Sequence, residues 1–97
     1  MRIEWSAAAL LDLNRFRAFL RERHPKLADT VGRAIQKRAS TLSHFPLLGK
    51  PLPQRPEYRE LLVTVLNATY AVQYRMEDDA LTILRVFHGR EKRGDRD

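Results

Sequence analysis

Residues 58–88 read YRELLVTVLNATYAVQYRMEDDALTILRVFH, and the alternation inside this stretch sets the architecture. Three β-rich runs are visible, at 58–66 (YRELLVTVL), 69–75 (TYAVQYR) and 81–88 (LTILRVFH). Asn67-Ala68 joins the first two, and an acidic turn, Met76-Glu77-Asp78-Asp79-Ala80, joins the last two. Joints this short force neighbouring strands to run antiparallel, as a meander. Period-2 alternation puts Leu61, Val63 and Val65 on one face, then Tyr70, Val72 and Tyr74. For the last run it leaves either Leu81 and Ile83 or Leu84 and Val86 facing inward.

Upstream, residues 46–56 (PLLGKPLPQRP) hold four of the five prolines, which predicts a stiff, partly extended loop. Two amphipathic patterns precede it. Ser6 stands where an N-cap belongs, and Ala9, Leu13, Phe16 and Leu20 form one stripe of a helix over residues 7–23, widened by Leu10 and Phe19. Pro25 closes that helix and opens the next. There Ala28, Val31, Ile35, Ala39 and Leu42 repeat at helical spacing, predicting about 20 residues of helix that end at Pro46. Two matching helices with a one- or two-residue joint must fold back as an antiparallel hairpin. Before them, residues 2–5 alternate as a short strand. The predicted fold is α+β: a two-layer βααβββ domain, its helical hairpin packed on a mostly antiparallel four-stranded sheet. One domain spans residues 1–97, and about 90–97 (REKRGDRD) form a polar tail.

Composition bounds the function. There is no cysteine, so no disulfide, thiolate metal site or cysteine nucleophile is available. No run of eighteen apolar residues suggests a membrane span, and MRIEWSAAAL lacks the features of a signal peptide. A cytoplasmic protein with no membrane partner is expected. The net charge is +6, and residues 1–48 carry nine basic against four acidic side chains. Such charge favours an acidic partner or a polyanion.

Most catalytic patterns are absent. His24, His44 and His88 are isolated, so neither a metal nor a cofactor is expected. The four glycines do not form a phosphate loop, Glu57 and Glu60 bracket a strand start without making a catalytic acid pair, and Asp78-Asp79 reads as a solvated turn. What remains is a basic, tyrosine-bearing sheet edge: Lys50, Arg55, Arg59, Arg85, His88 and Arg90. Such a cluster could hold a phosphate, with His88 as acid or base near neutral pH. The alternative is a solvated edge with cation–π contacts to Tyr58 or Tyr70. Arg85 interrupts an apolar strand, so its guanidinium wants a carboxylate or carbonyl partner.

Several pieces together resemble the ParE/RelE superfamily of bacterial type II toxins, the ParE branch in particular. They are Trp5-Ser6, Ala9 and Asp12-Leu13; Pro25 and Ala28; 45–50 (FPLLGK); 58–61 (YREL); 70–75 (YAVQYR); and 83–90 (ILRVFHGR). The resemblance covers about residues 3–92. It implies a growth-arresting toxin, associated with plasmid stabilisation, neutralised by an acidic antitoxin whose C-terminal segment folds on binding. RelE-like members cleave mRNA on the ribosome without a metal. Of their usual basic set this chain keeps Arg59, Arg90 and His88. Leu61 and Ala71 stand where basic residues are usual, and no aromatic follows Phe87. ParE-like members inhibit DNA gyrase by binding. The resemblance therefore implies a gyrase inhibitor that is not an enzyme. The alternatives are a metal-independent endoribonuclease using Arg59, His88 and Arg90, and a non-toxic binding module of the same fold.

Overall fold

A computed structural model describes residues 1–89. The elements are β1 (Arg2–Trp5), α1 (Ala7–Arg23), α2 (Pro25–Ser40), a 3₁₀ turn (Thr41–Ser43), β2 (Lys50–Leu52), β3 (Arg55–Val65), β4 (Ala68–Glu77) and β5 (Ala80–His88). The sheet order is β1-β5-β4-β3-β2, with β1 parallel to β5 and every other pair antiparallel. The α+β, two-layer reading is correct, but the sheet has five strands instead of four. The extra strand, β2, lies inside the proline-rich segment, with Lys50 opposite Glu60 and Pro51 opposite Arg59. Pro51 is tolerated because β2 is an edge strand, where a missing amide donor leaves no neighbour unpaired.

The helices pack one face of the sheet. Ser6 caps α1, its Oγ accepting from the Ala9 amide at 3.0 Å. Ala9, Leu13 and Phe16 are buried with Ala28, Val31, Ile35 and Ala39 of α2 and Leu42 of the 3₁₀ turn. Leu10 and Phe19 do not widen the buried stripe of α1, because they remain 44% and 57% exposed. α2 is also shorter than its periodicity suggests, at 16 residues. The hydroxyls of Ser40 and Thr41 accept no cap; they donate to the carbonyls of Lys37 (2.7 Å) and Arg38 (2.6 Å). This competition with the helical ladder favours the tighter turn that follows.

On the sheet, Leu61, Val63, Val65, Tyr70, Val72 and Tyr74 are all buried. β5 takes neither of the two alternatives whole. Tyr74 faces Ile83 while the adjacent Gln73 faces Arg85, so Leu84 is an extra residue. This β-bulge shifts the alternation, and Leu81, Ile83 and Val86 all enter the core. The same shift puts Arg85 opposite Gln73, which in turn lies opposite Glu60.

Candidate functional site: a braced loop, an apolar groove and a divided basic set

β1 leaves the sheet at Trp5, but β5 continues to His88, so the upper edge of β5 needs other partners. The start of α1 supplies them. The Ser6 amide donates to the Ile83 carbonyl at 2.9 Å, and Ser6 Oγ donates to the Leu84 carbonyl at 2.8 Å. Asp12 Oδ2 accepts from the Val86 amide at 2.8 Å. The same carboxylate grips Arg85 through Nε (2.8 Å) and Nη2 (3.0 Å), and Arg15 reaches Oδ1 at 3.3 Å. Burial alone would raise the Asp12 pKa. The hydrogen bonds from Arg85, the Val86 amide and Arg15, with the Arg85 charge, outweigh it and hold the carboxyl below its ordinary 3.8. Arg85 has thereby found the partner its sequence position calls for. The signal for Asp12 was present: it stands three residues after Ala9 and four before Phe16, within the buried stripe of α1.

A second, partly buried network braces the loop between the 3₁₀ turn and β2. The Tyr74 hydroxyl donates to the Pro46 carbonyl (2.7 Å) and accepts from the Gly49 amide (2.9 Å). Arg59 donates from Nη1 to the Gly49 carbonyl (2.6 Å) and to the Leu47 carbonyl (3.3 Å). Gly49 is required by space: a Cβ there would lie 2.8 Å from the Tyr74 ring and 2.9 Å from the Glu60 carbonyl oxygen. Desolvation raises the Tyr74 pKa above 10.0, against the lowering effects of the Gly49 amide and the Arg59 charge.

The predicted basic set is divided between sites. Lys50 is exposed on β2, in register with Glu60, which accepts from Gln73 at 2.9 Å. The Arg55 guanidinium lies 5.0 Å from the centre of the Tyr58 ring and that of Arg75 6.0 Å from it; Arg85 lies 4.8 Å from the Phe87 ring centre. His88 stands opposite Tyr70, its ring edge-on at 5.3 Å. Arg59 and His88 flank β4 from its two sides, opposite Tyr74 and Tyr70 respectively. Two strand spacings and four residues separate their backbones by roughly 16 Å. Arg90 lies outside the described residues.

The principal groove is apolar and occupies the other end of the molecule. It has a volume of about 1060 Å³ and lies between the hairpin and the β3–β4 turn, lined by Phe16, Phe19, Leu20, Leu27, Val31, Leu66, Tyr70 and His88 among others. Arg15 lines it, stacked at 4.7 Å on Phe16, and Arg23 stacks at 4.1 Å on the lining residue Phe19. Leu66, at the turn, is 68% exposed with φ +57°. Among the described residues no helix is long and apolar enough to cross a membrane, and no group of three His, Asp or Glu could hold a metal ion.

Residues 3–93 match the family described as ParE toxin of type II toxin-antitoxin system, parDE. The chain belongs to the ParE toxin family. Two relatives come from Caulobacter vibrioides. Toxin RelE3 is 35% identical over 91 residues, covering 94% of this chain and 97% of its own. Toxin RelE1 is 28% identical over 88 residues, covering 91% and 92%. Among solved structures, the chromosomal ParDE toxin-antitoxin system from P. aeruginosa superposes with a TM-score of 0.75 at 20% identity, over 91% of this chain and 95% of that one. At that identity the likeness establishes the shared fold. This ParE-family chain is thus a type II toxin of ParE/RelE kind, and the family implies a cognate antitoxin.

Proposed function

We propose that this toxin inhibits DNA gyrase by binding it, and that it does not cut RNA. The observation supporting this reading is the commitment of Arg59. Its guanidinium donates to two carbonyls of its own chain, Gly49 and Leu47. A metal-independent ribonuclease needs basic groups converging within hydrogen-bond reach of one phosphate. Arg59 and His88 instead stand on the two neighbouring strands of β4, opposite Tyr74 and Tyr70, with backbones roughly 16 Å apart. Inhibition by binding requires no such convergence. Purified toxin at stoichiometric amounts is expected to block gyrase supercoiling and leave RNA intact. Undiminished supercoiling overturns the reading.

The antitoxin partner fits the apolar groove. A segment disordered until bound would bury apolar anchors against Phe19, Leu27 and Leu66 while its acidic residues meet Arg15 and Arg23. Phe19→Ser is expected to weaken antitoxin capture at least tenfold. With gyrase as target the toxin acts in the cytoplasm.

A second reading has its own support, since the curated relatives are named RelE toxins. Under it the chain is a ribosome-dependent endoribonuclease using Arg59, His88 and Arg90. Arg90→Ala would then abolish mRNA cleavage in a translation extract without altering the fold. If the wild-type chain cuts no transcript there, this second reading ends.

A further inference from the structure

The braced loop presents apolar side chains that the core does not use. Phe45, Leu47 and Leu48 are 64%, 64% and 43% exposed. A pliant loop could turn such side chains inward, but this one is held on several sides. Tyr74 and Arg59 bind Pro46, Leu47 and Gly49 from beneath. The Phe45 amide donates to the Thr41 carbonyl (3.0 Å), and the Leu48 amide to the Phe45 carbonyl (3.1 Å). Hydrogen bonds, one of them fully buried, therefore hold the backbone that carries three large apolar groups in water. Fixing them in advance reduces the ordering cost of an association. Clustered exposed apolar groups also mark contact surfaces more often than chance scatter does.

The surrounding charge describes the partner. Residues 30–56 contain Arg33, Lys37, Arg38, Lys50 and Arg55 and no acidic side chain. Arg38 on the last turn of α2 and Lys50 at the start of β2 flank the loop on either side. The complement is a protein cleft that is apolar at its centre and acidic at its rim.

We infer that Phe45, Leu47 and Leu48 form the knob with which this toxin engages its protein target, in an apolar cleft rimmed by carboxylates. The knob follows the C-terminal end of α2, whereas the groove lies beside Leu27 and Val31 near its N-terminal end. The stretch of α2 from Val31 to Ser40, about 14 Å, separates the two surfaces. The inference rests on the reading of this chain as a toxin that acts by binding. It assigns target and antitoxin to different ends of the molecule, and gives Arg59 and Tyr74 the role of positioning the knob.

The test uses the full chain carrying Phe45→Ser with Leu47→Ser. Three readouts are taken: growth arrest on induction in bacteria, affinity for purified gyrase holoenzyme, and affinity for the cognate antitoxin. Both substitutions are exposed, so the melting temperature is expected within about 3 °C of wild type. Growth arrest should be lost, gyrase affinity should fall at least tenfold, and antitoxin affinity should stay within about threefold. Lys50→Glu with Arg55→Glu, which leaves the apolar groups in place, should weaken gyrase binding with a salt dependence shallower than that of wild type.

Wild-type growth arrest by the Phe45/Leu47 variant overturns the inference. So does loss of antitoxin capture with arrest retained, which would make the antitoxin the occupant of the knob. If the wild-type chain arrests growth without binding gyrase and the variant does not, the knob stands and the gyrase reading falls. A wild-type chain that leaves growth untouched overturns both.

Discussion

Asp12 holds Arg85 with both carboxylate oxygens, Oδ2 on Nε at 2.8 Å and Oδ1 on Nη2 at 3.0 Å, across 73 residues of sequence. The contact does more than neutralise a charge. Oδ2 also accepts the Val86 amide, so one side chain completes the edge of β5 beyond the point where β1 departs. The Asp12 side chain is 5% exposed and that of Arg85 45%. Removing either partner is therefore unequal: Arg85 can be rehydrated, but the Val86 amide has no substitute acceptor in the network.

Asp12→Ala is accordingly expected to destabilise the fold by about 2–3 kcal/mol, mostly from the orphaned amide. Arg85→Ala should cost less, on the order of 1 kcal/mol, because half-exposed ion pairs are screened by solvent. Urea or thermal unfolding of the two variants checks the order. Equal losses would show that the ion pair, and not the strand-edge hydrogen bond, dominates.

The same carboxyl makes stability depend on acid pH. Its folded-state pKa is depressed, so its contribution is fully present above the ordinary value of 3.8. That contribution is lost as pH falls from 3.8 through the lowered folded value. Wild-type stability should decline over this range more steeply than that of Asp12→Asn. Parallel pH profiles for the two proteins would refute the assignment.

Two glycines should respond in opposite directions to alanine. Gly49→Ala forces a Cβ against the Tyr74 ring and the Glu60 backbone, neither of which can yield cheaply, and should cost about 2 kcal/mol. At Gly32→Ala the nearest atoms a Cβ meets belong to the flexible Arg17 guanidinium, whose Nε is buried without a hydrogen-bond partner. Arg17 can swing to water at little cost, and alanine gains helix propensity in α2. A stabilisation of about 0.5–1 kcal/mol is expected. Thermal melts of both variants decide the matter.

Tyr74→Phe keeps the ring and removes the hydroxyl that holds Pro46 and Gly49. The buried Gly49 amide then loses its acceptor, for a loss of about 1–3 kcal/mol. Hydrogen exchange at Gly49 should accelerate well beyond any change in β4. Protection unchanged at Gly49 would mean that the hydroxyl does not brace the loop.

Leu66 occupies the left-handed region at φ +57°, where an asparagine is tolerated and a leucine is strained. Leu66→Asn should therefore stabilise the isolated toxin by about 0.5–1 kcal/mol. It should also weaken antitoxin binding, since the side chain lines the groove. Opposite signs in the melt and in the binding isotherm are the expected result, and a destabilised variant would argue against strain at this turn.

The architecture was legible in the sequence because periodicity reports directly which side of an element is buried. The stripe from Ala28 to Leu42 and the alternating Leu61, Val63 and Val65 are all buried in the structure, although Leu42 lies in the 3₁₀ turn beyond α2. Strand β2 escaped because prolines mark a segment as irregular, whereas an edge strand needs donors on one side only. The bulge at Leu84 escaped because one inserted residue leaves two equally good alternations on the page. The basic set was visible residue by residue, but its grouping was not. Arg59 bends back to its own loop, Arg85 crosses to α1, and His88 turns to Tyr70. A guanidinium's partner is chosen by whichever acceptor folding brings within 3 Å, and acceptors such as Asp12 and Gly49 are distant or unmarked in the chain. Local sequence thus determined elements and faces, which depend on neighbours three or four residues away. The tertiary structure alone decided which charges are free for a partner, because that depends on contacts made only once the layers close.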